Sequence, residues 1–230
     1  MRLVSWNCCN GFSRKVSHLM ELSPDIAVVS EVRRDCLYKV GLLERSMWVG
    51  DPGKKGLAII PFGDWRITAW GPRITDKWFA PVVVESSVRV LQLVGVWLHD
   101  ARGYVRPTLR ALQELAPFLA AGPTVLAGDF NQSVSFDAKA GAGNRFAEVL
   151  AVLRSAELSS AWHDRTGEDH GRETSASLYF RRSESSPHHI DFAFYPRGAL
   201  SVTSARLGSF DDYVATKLSD HVPLVVDFAT

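Results

Sequence analysis

Residues 123 to 133 read PTVLAGDFNQS: a Pro, an apolar run, then a Gly followed by Asp129 and Asn131 set two apart. The run has the length and composition of a buried strand. Side chains at i and i+2 of a strand or its immediate extension share a face, so Asp129 and Asn131 can reach into one cleft. Turn chemistry accounts for the same tetrapeptide, since Gly, Asp and Asn are all turn formers.

Other runs of the same kind surround it. RLVSW at 2–6, DIAVVS at 25–30, GLAIIPF at 56–62, PVVVESS at 81–87 and VRVLQLVGVW at 88–97 read as strands, followed by HIDFAFY at 189–195 and VPLVVDF at 222–228. Helical periodicity covers 13–22, about 108–121 and 144–157, where Leu109, Leu112, Leu115 and Leu119, and Phe146, Val149, Leu150 and Leu153, recur at steps of three and four. Strand runs outnumber helices and only some alternate with them, so two packed sheets flanked by helices fit better than one doubly wound parallel sheet. The polar stretch 161–187, with only a brief SLYF at 177–180, reads as a long surface loop.

A chain of 230 residues can bury one sizeable core, and residues 1–230 are read as one domain. Hydrophobic residues at 46% and charged residues at 22% exclude a disordered chain, and no apolar run approaches the roughly 20 residues of a membrane span. MRLVSWN lacks a signal-peptide core, so it reads as a first strand and the expected location is cytoplasmic. Cys8, Cys9 and Cys36 are too few and badly spaced for a disulfide framework or a zinc site. With 26 Lys and Arg against 25 Asp and Glu, the net charge of +1 gathers no polyanion globally, so nucleic-acid affinity requires a local patch.

The strands share polar ends. The first runs into Asn7, the second into Glu31, the longest into His99 and Asp100, and the PTVLA run into Asp129 and Asn131. Asp191 lies just inside HIDFAF, and SDH at 219–221 puts Asp220 and His221 before the last strand. Each has a plain structural explanation taken singly; together they supply a catalytic set to a cleft on a two-sheet scaffold. Such a set suits metal-assisted attack on a phosphoester. Mg²⁺ takes oxygen ligands and keeps several waters, so Glu31, with Asn7 and Asp220 beside it, suffices to hold it. His221 can bond a phosphate oxygen or relay a proton if Asp191 fixes its tautomer. Asp129 can orient or deprotonate water, and Asn131 can hold phosphate through its amide hydrogens.

The succession WN at 6–7, SEV at 30–32, GDFN at 128–131, HID at 189–191 and SDH at 219–221 resembles the endonuclease/exonuclease/phosphatase superfamily, exonuclease III and DNase I among its members. The resemblance implies an α/β fold, a four-layer αββα sandwich with two facing mixed β-sheets, and a Mg²⁺ or Mn²⁺ requirement. It implies metal-site roles for Asn7, Glu31 and Asp220, a water-activating and phosphate-contacting pair in Asp129 and Asn131, and an Asp191–His221 dyad. His99 is placed in the site as the second acid/base of the DNase-like branch, although VWLHD also aligns with the abasic-site nucleases, which use a tyrosine and an asparagine nearby. After Asn7 the sequence reads CCNG where abasic-site nucleases carry an acid, so one ion is expected.

The substrate is less sharply written. Arg33 with Arg34, Lys54 with Lys55, Arg102 with Arg106 and Arg181 with Arg182 are local cationic pairs, which serve a nucleic-acid backbone or simply a solvated surface. Of Trp48, Trp65, Trp70 and Trp78, one or two can stack on bases while the rest belong to the core. The expected activity is a Mg²⁺-dependent phosphodiester hydrolase acting on DNA. The alternatives are a phosphatase or phosphodiesterase of small phosphoesters such as inositol phosphates, and a binding module without turnover.

Overall fold

A computed structural model describes residues 1–99 and 103–229. Its strands in chain order are β1 (Arg2–Asn7), β2 (Ile26–Arg33), β3 (Met47–Gly50), β4 (Lys55–Pro61), β5 (Arg66–Trp70), β6 (Phe79–Glu85), β7 (Val90–Trp97), β8 (Thr124–Asp129), β9 (Leu158–Ser160), β10 (Leu178–Tyr179), β11 (Pro187–His188), β12 (Asp191–Pro196), β13 (Val202–Leu207) and β14 (Leu224–Phe228). The α-helices are α1 (Val16–Glu21), α2 (Arg34–Lys39), α3 (Val105–Ala121), α4 (Phe146–Ser155) and α5 (Ala161–Thr166). Two six-stranded mixed sheets result, ordered β13-β14-β1-β2-β4-β3 and β5-β6-β7-β8-β12-β9. Each holds one parallel pair, β1 with β2 and β7 with β8, and both pairs are joined by a crossover that carries a helix.

Side-chain alternation assembles the layers. Leu3, Ile26, Val28, Leu57, Ile59, Leu224 and Val226 of the first sheet meet Val82, Leu93, Trp97, Val125, Ala127, Ala193 and Tyr195 of the second in one central core. Their sequence neighbours face outward. Val4, Trp6, Ala27 and Val29 pack with Leu19 of α1 and Leu37 of α2. Val94, Val96, Leu126 and Phe192 pack with Leu112 and Leu115 of α3 and Val149 and Leu153 of α4. Strands buried on both faces explain the near-continuous apolar runs in the sequence, and each large side chain taken from water contributes about 1.5–3 kcal/mol. The result is the four-layer α/β sandwich expected from the sequence.

The same alternation carries the core face on into polar residues at one end. In β8, Val125 and Ala127 are followed on their face by Asp129; in β12, Asp191 precedes Ala193 and Tyr195; in β1, Leu3 leads through Ser5 to Asn7. Gly128 is required by close approach: its φ is +149°, and a Cβ there would lie 1.8 Å from the carbonyl oxygen of Val96.

Several segments differ from expectation. Residue 31 is not a strand end: β2 continues to Arg33, and Glu31 is the extra residue of a bulge, with Ser30 paired to Leu57 and Val32 to Gly56. The stretch 161–187 is no bare loop. It contains α5, a buried Ala176 and Ser177, and β10, which pairs with β11 and bridges from Leu178 to His221. The helix read at 13–22 is a 3₁₀ turn over Phe12–Arg14 followed by the short α1. Four of the pieces missed from sequence, β3, β5, β9 and β13, are edge strands or lie next to an edge, where the apolar pattern is weakest. Asp100 and Arg102 lie outside the described residues. No helix among the described residues is long and apolar enough to cross a membrane.

Candidate active site

Two hydrogen bonds tie the sheets together at the polar end of the sandwich. Asn7 Nδ2 of the first sheet donates to Asp129 Oδ2 of the second at 2.9 Å. His221, just before β14, is joined through Nδ1 to Asp191 Oδ2 at 2.8 Å. Asp191 and Asp129 are directly opposite in the β12–β8 register, and His221 Nε2 lies 4.0 Å from Asp129 Oδ2. Asp129, Asp191 and His221 are all buried, with ligand-capable atoms within 4.8 Å of one another.

Backbone devices aim the other members. The bulge gives Glu31 a φ of +60°, and its carboxylate accepts from Asn7 Nδ2 at 3.4 Å and from Lys55 Nζ at 2.5 Å. Left-handed backbone at a non-glycine residue costs roughly 1–2 kcal/mol, so surrounding structure has to hold it. Asn131, with φ +49°, donates from its backbone N–H to Asp129 Oδ1 at 2.9 Å. Its Nδ2 donates to Asp129 Oδ2 at 3.1 Å and to Leu98 O at 2.8 Å. Both amide hydrogens expected to hold phosphate are therefore engaged within the protein, steadying Asp129 and the end of β7. Ser219 Oγ donates to the Asn7 carbonyl at 2.7 Å and accepts from His221 N–H at 3.1 Å, fixing the SDH segment on β1.

Charge follows from this packing. Burial pushes the Asp129 carboxyl up, and Asp191 beside it adds to the rise, to about 7. Burial disfavours the His221 cation, but Asp191 and Asp129 together outweigh it and raise the ring to about 10. Asp191 Oδ1 is buried with no hydrogen-bond partner.

Oxygen donors for a hard cation sit at the wetter side of the cluster. Glu31 is partly exposed and already draws the Lys55 ammonium, while the Asp220 carboxylate receives a 3.5 Å contact from Ser219 Oγ and a bond from the weak thiol donor of Cys9. Glu31 and Asp220 both act electrostatically on the Cys9 thiol, raising it together with its burial. A carboxylate pair that attracts an ammonium offers oxygen ligands of the kind a hard divalent cation takes, and Glu31 is in contact with the Asn7 amide. Asp129 fits a metal less well, because both its oxygens already accept amide hydrogens.

Among the described residues, His99 makes no hydrogen bond to this network. Its exposed ring stacks on Trp97 with centroids 4.8 Å apart and meets Trp78 edge-on at 6.0 Å. It lines a cleft of about 420 Å³ with Asn10, Arg33, Lys54, Lys55, Trp78 and Trp97. An adjoining hollow of about 880 Å³ shares Asp51, Trp78 and His99 and adds Lys77, Arg106 and Arg110. Trp65 is buried, and Trp48 donates Nε1–H to Val32 O; Trp70 is exposed on β5 and borders a different hollow. Arg182 reaches Cys9 Sγ at 3.5 Å. Ser177, whose Oγ accepts the amide hydrogens of Ile190 and Asp191, was not singled out from sequence; Ser219 was marked only through the SDH motif, and Lys55 only as one of a cationic pair.

Comparison with known proteins agrees with this architecture. The human Nocturnin catalytic domain superposes with a TM-score of 0.69 at 21% identity, over 100% of this chain and 93% of that one. An AP endonuclease from Archaeoglobus fulgidus gives 0.71 at 15% identity, covering 100% of both chains. Zebrafish TDP2, complexed with a single-strand DNA product, gives 0.71 at 16% identity over 100% and 99% of the chains. At these identities the likeness is one of fold. No curated protein matches the chain in sequence. The profile of the Endonuclease/Exonuclease/phosphatase family matches residues 4–221, from within β1 to His221. The chain belongs to that family of metal-dependent phosphoesterases.

Proposed function

We propose that the protein is a Mg²⁺-dependent nuclease that hydrolyses phosphodiester bonds in DNA. The groove beside the cluster carries this reading. Among the described residues, its two adjoining hollows are lined by Arg33, Lys54, Lys55, Lys77, Arg106 and Arg110 together with Asp51 and Asp76. A chain of net charge +1 thus concentrates cations where an extended polyanion would lie, and the exposed His99 ring offers a surface for stacking. A small phosphoester calls instead for one closed basic pocket. Fold relatives with DNA bound, zebrafish TDP2 and the Neisseria 3′ phosphatase NExo with a product hairpin, support the same substrate class.

Glu31, Asn7 and Asp220 would hold Mg²⁺ or Mn²⁺, which when bound supplies Lewis-acid stabilisation of charge developing on the phosphate. Asp129, steadied by Asn7 and Asn131, takes the proton of the attacking water; a carboxyl raised to about 7 is a competent base near neutral pH. His221 donates its Nε2–H to a non-bridging phosphate oxygen, with Asp191 fixing the tautomer by accepting from Nδ1. His99 serves at the groove wall, as a contact to the nucleotide chain.

Purified protein is incubated with plasmid, an abasic-site oligonucleotide, inositol polyphosphates and bis-p-nitrophenyl phosphate, each with Mg²⁺ or EDTA. The expected result is DNA cleavage that EDTA abolishes. Turnover of the small phosphates alone would remove the DNA reading, and turnover of none would remove the catalytic one.

A further inference from the structure

Behind β12, on the face opposite Asp191, the segment after α5 folds back and gathers His163, His170 and Glu173, with His189 beside them. Ligand-capable atoms of His163, His170 and Glu173 all lie within 4.8 Å of one another. His163 Nε2 is 3.0 Å from Glu173 Oε1, and both side chains are over nine-tenths buried, at 8% and 6% exposure. The His163 and His170 rings stack at 3.5 Å, and the His189 ring centre is 5.7 Å from that of His163. Two nitrogens here are orphaned: His170 Nδ1 and His189 Nε2 are buried with no hydrogen-bond partner. Three other atoms of the cluster are oriented by outer partners. His163 Nδ1 meets Ser160 Oγ at 2.7 Å, His189 Nδ1 meets Ser175 O at 3.2 Å, and Glu173 Oε1 accepts from Gly171 N–H at 2.9 Å.

We propose that His163, His170 and Glu173, with His189 beside them, form a second metal site, for a divalent transition ion of the zinc type, separate from the catalytic Mg²⁺ site. Two or three imidazoles with one carboxylate are a nitrogen-rich set that zinc accepts and Mg²⁺ does not favour. Imidazoles whose second nitrogen is tied to a hydroxyl or carbonyl show the outer bonding that orients metal-ligating histidines. Burial and the neighbouring His163 push His170 down to about 3, and burial pushes His189 down, so their rings present lone pairs at neutral pH. Hydrogen bonding to His163 and backbone amides outweighs burial and lowers Glu173 to about 2, leaving it a carboxylate.

The site has a structural task. It pins the segment that runs on to Ser177, and the rings of His163, His170 and His189 pack on Phe192, the chain neighbour of Asp191. An ion there staples the 161–177 segment to β12 on the side away from substrate.

The test strips the protein of metal with a chelator, exchanges it into excess Mg²⁺ and titrates it with ZnCl₂ by calorimetry, with Co²⁺ absorption as a second readout. One equivalent of Zn²⁺ is expected, with a midpoint rise of about 5–10 °C at a hundredfold excess over Kd. Co²⁺ should give the intense visible bands of a four-coordinate nitrogen and oxygen site. His170→Gln, checked for fold by circular dichroism, should weaken Zn²⁺ binding by about 100-fold or more, while Glu31→Gln leaves it unchanged. If the folded wild type takes up no zinc beside Mg²⁺, or Glu31→Gln and not His170→Gln abolishes uptake, the proposal is overturned. Zinc uptake without hydrolysis of any phosphoester would uphold this site and count only against the nuclease reading.

Discussion

Replacing Glu31 with Gly and with Ala separates the energetic cost of the bulge from its chemical use. Glu31 sits at φ +60° on the bulge of β2. Both substitutions delete the carboxylate, its contact with Asn7 and its half-exposed pair with Lys55, so these losses cancel between the two variants. What differs is the backbone. Left-handed geometry costs an L-residue roughly 1–2 kcal/mol, whereas glycine adopts it freely. Against this, alanine has the less flexible unfolded chain, worth about 0.4–1 kcal/mol. Glu31→Gly should therefore be more stable than Glu31→Ala by about 0.8 kcal/mol, or about 2–3 °C in thermal midpoint for a chain of this size. Urea unfolding followed by circular dichroism reads the difference, and both variants should lose Mg²⁺-dependent hydrolysis by about 10² or more. Equal or greater stability of the alanine variant would show that the bulge stores no strain. Hydrolysis at the wild-type rate in either variant would remove Glu31 from the metal site.

His221 is raised to about 10 in the folded chain, so its contribution to stability is complete below pH 6.5 and is lost as pH rises through 10. In EDTA, the wild-type midpoint should fall by about 1 kcal/mol of stability between pH 7.5 and 8.5, and His221→Gln should flatten that slope; equal slopes would contradict the Asp129–His221–Asp191 arrangement. Gly128→Ala drives a Cβ into the Val96 carbonyl and should cost at least about 3 kcal/mol or prevent soluble expression, read by urea unfolding against the control Gly198→Ala, where a Cβ meets open space and the backbone is not left-handed. Lys54→Ala and Arg106→Ala, on the two halves of the groove, should each weaken DNA binding and lower the slope of log K against log salt by about 1; unchanged slopes would place the DNA elsewhere.

Those parts of the site that depend on strand parity were readable in the sequence. Asp129 and Asp191 continue the apolar face of β8 and β12, and period-two alternation fixes that face once the strand is recognised. Asn7 and His221 were likewise placed by the strands they flank. Glu31 was singled out by residue type and position, but its bulge was not, because a one-residue register slip is set by the pairing of β2 with Gly56 and Leu57 and leaves no mark in β2 itself. Asn131 was assigned a bond to phosphate because an amide can donate two; that both go to Leu98 and Asp129 depends on β7 and β8 ending side by side.

Segment 161–187 shows where polarity misleads. Its His, Glu, Ser and Arg residues read as solvent-facing because such side chains seldom enter a core alone. A buried polar group requires only partners, and here the segment brings its own: His163 with Glu173 and Ser160, His189 with Ser175, and Ser177 with the amides of Ile190 and Asp191. His170 follows His163 by seven positions and Glu173 follows His170 by three, a spacing one helix face would also gather, but α5 ends at Thr166 and Gly167 turns the chain with a φ of +73°, so the cluster is not a product of helical periodicity. Only the folded backbone closes the cluster. The segment that a hydropathy reading would trim as a loop is thus the one whose Ser177 holds the backbone of Asp191, and its removal should cost the His221 dyad its anchor before it costs the sheets their core.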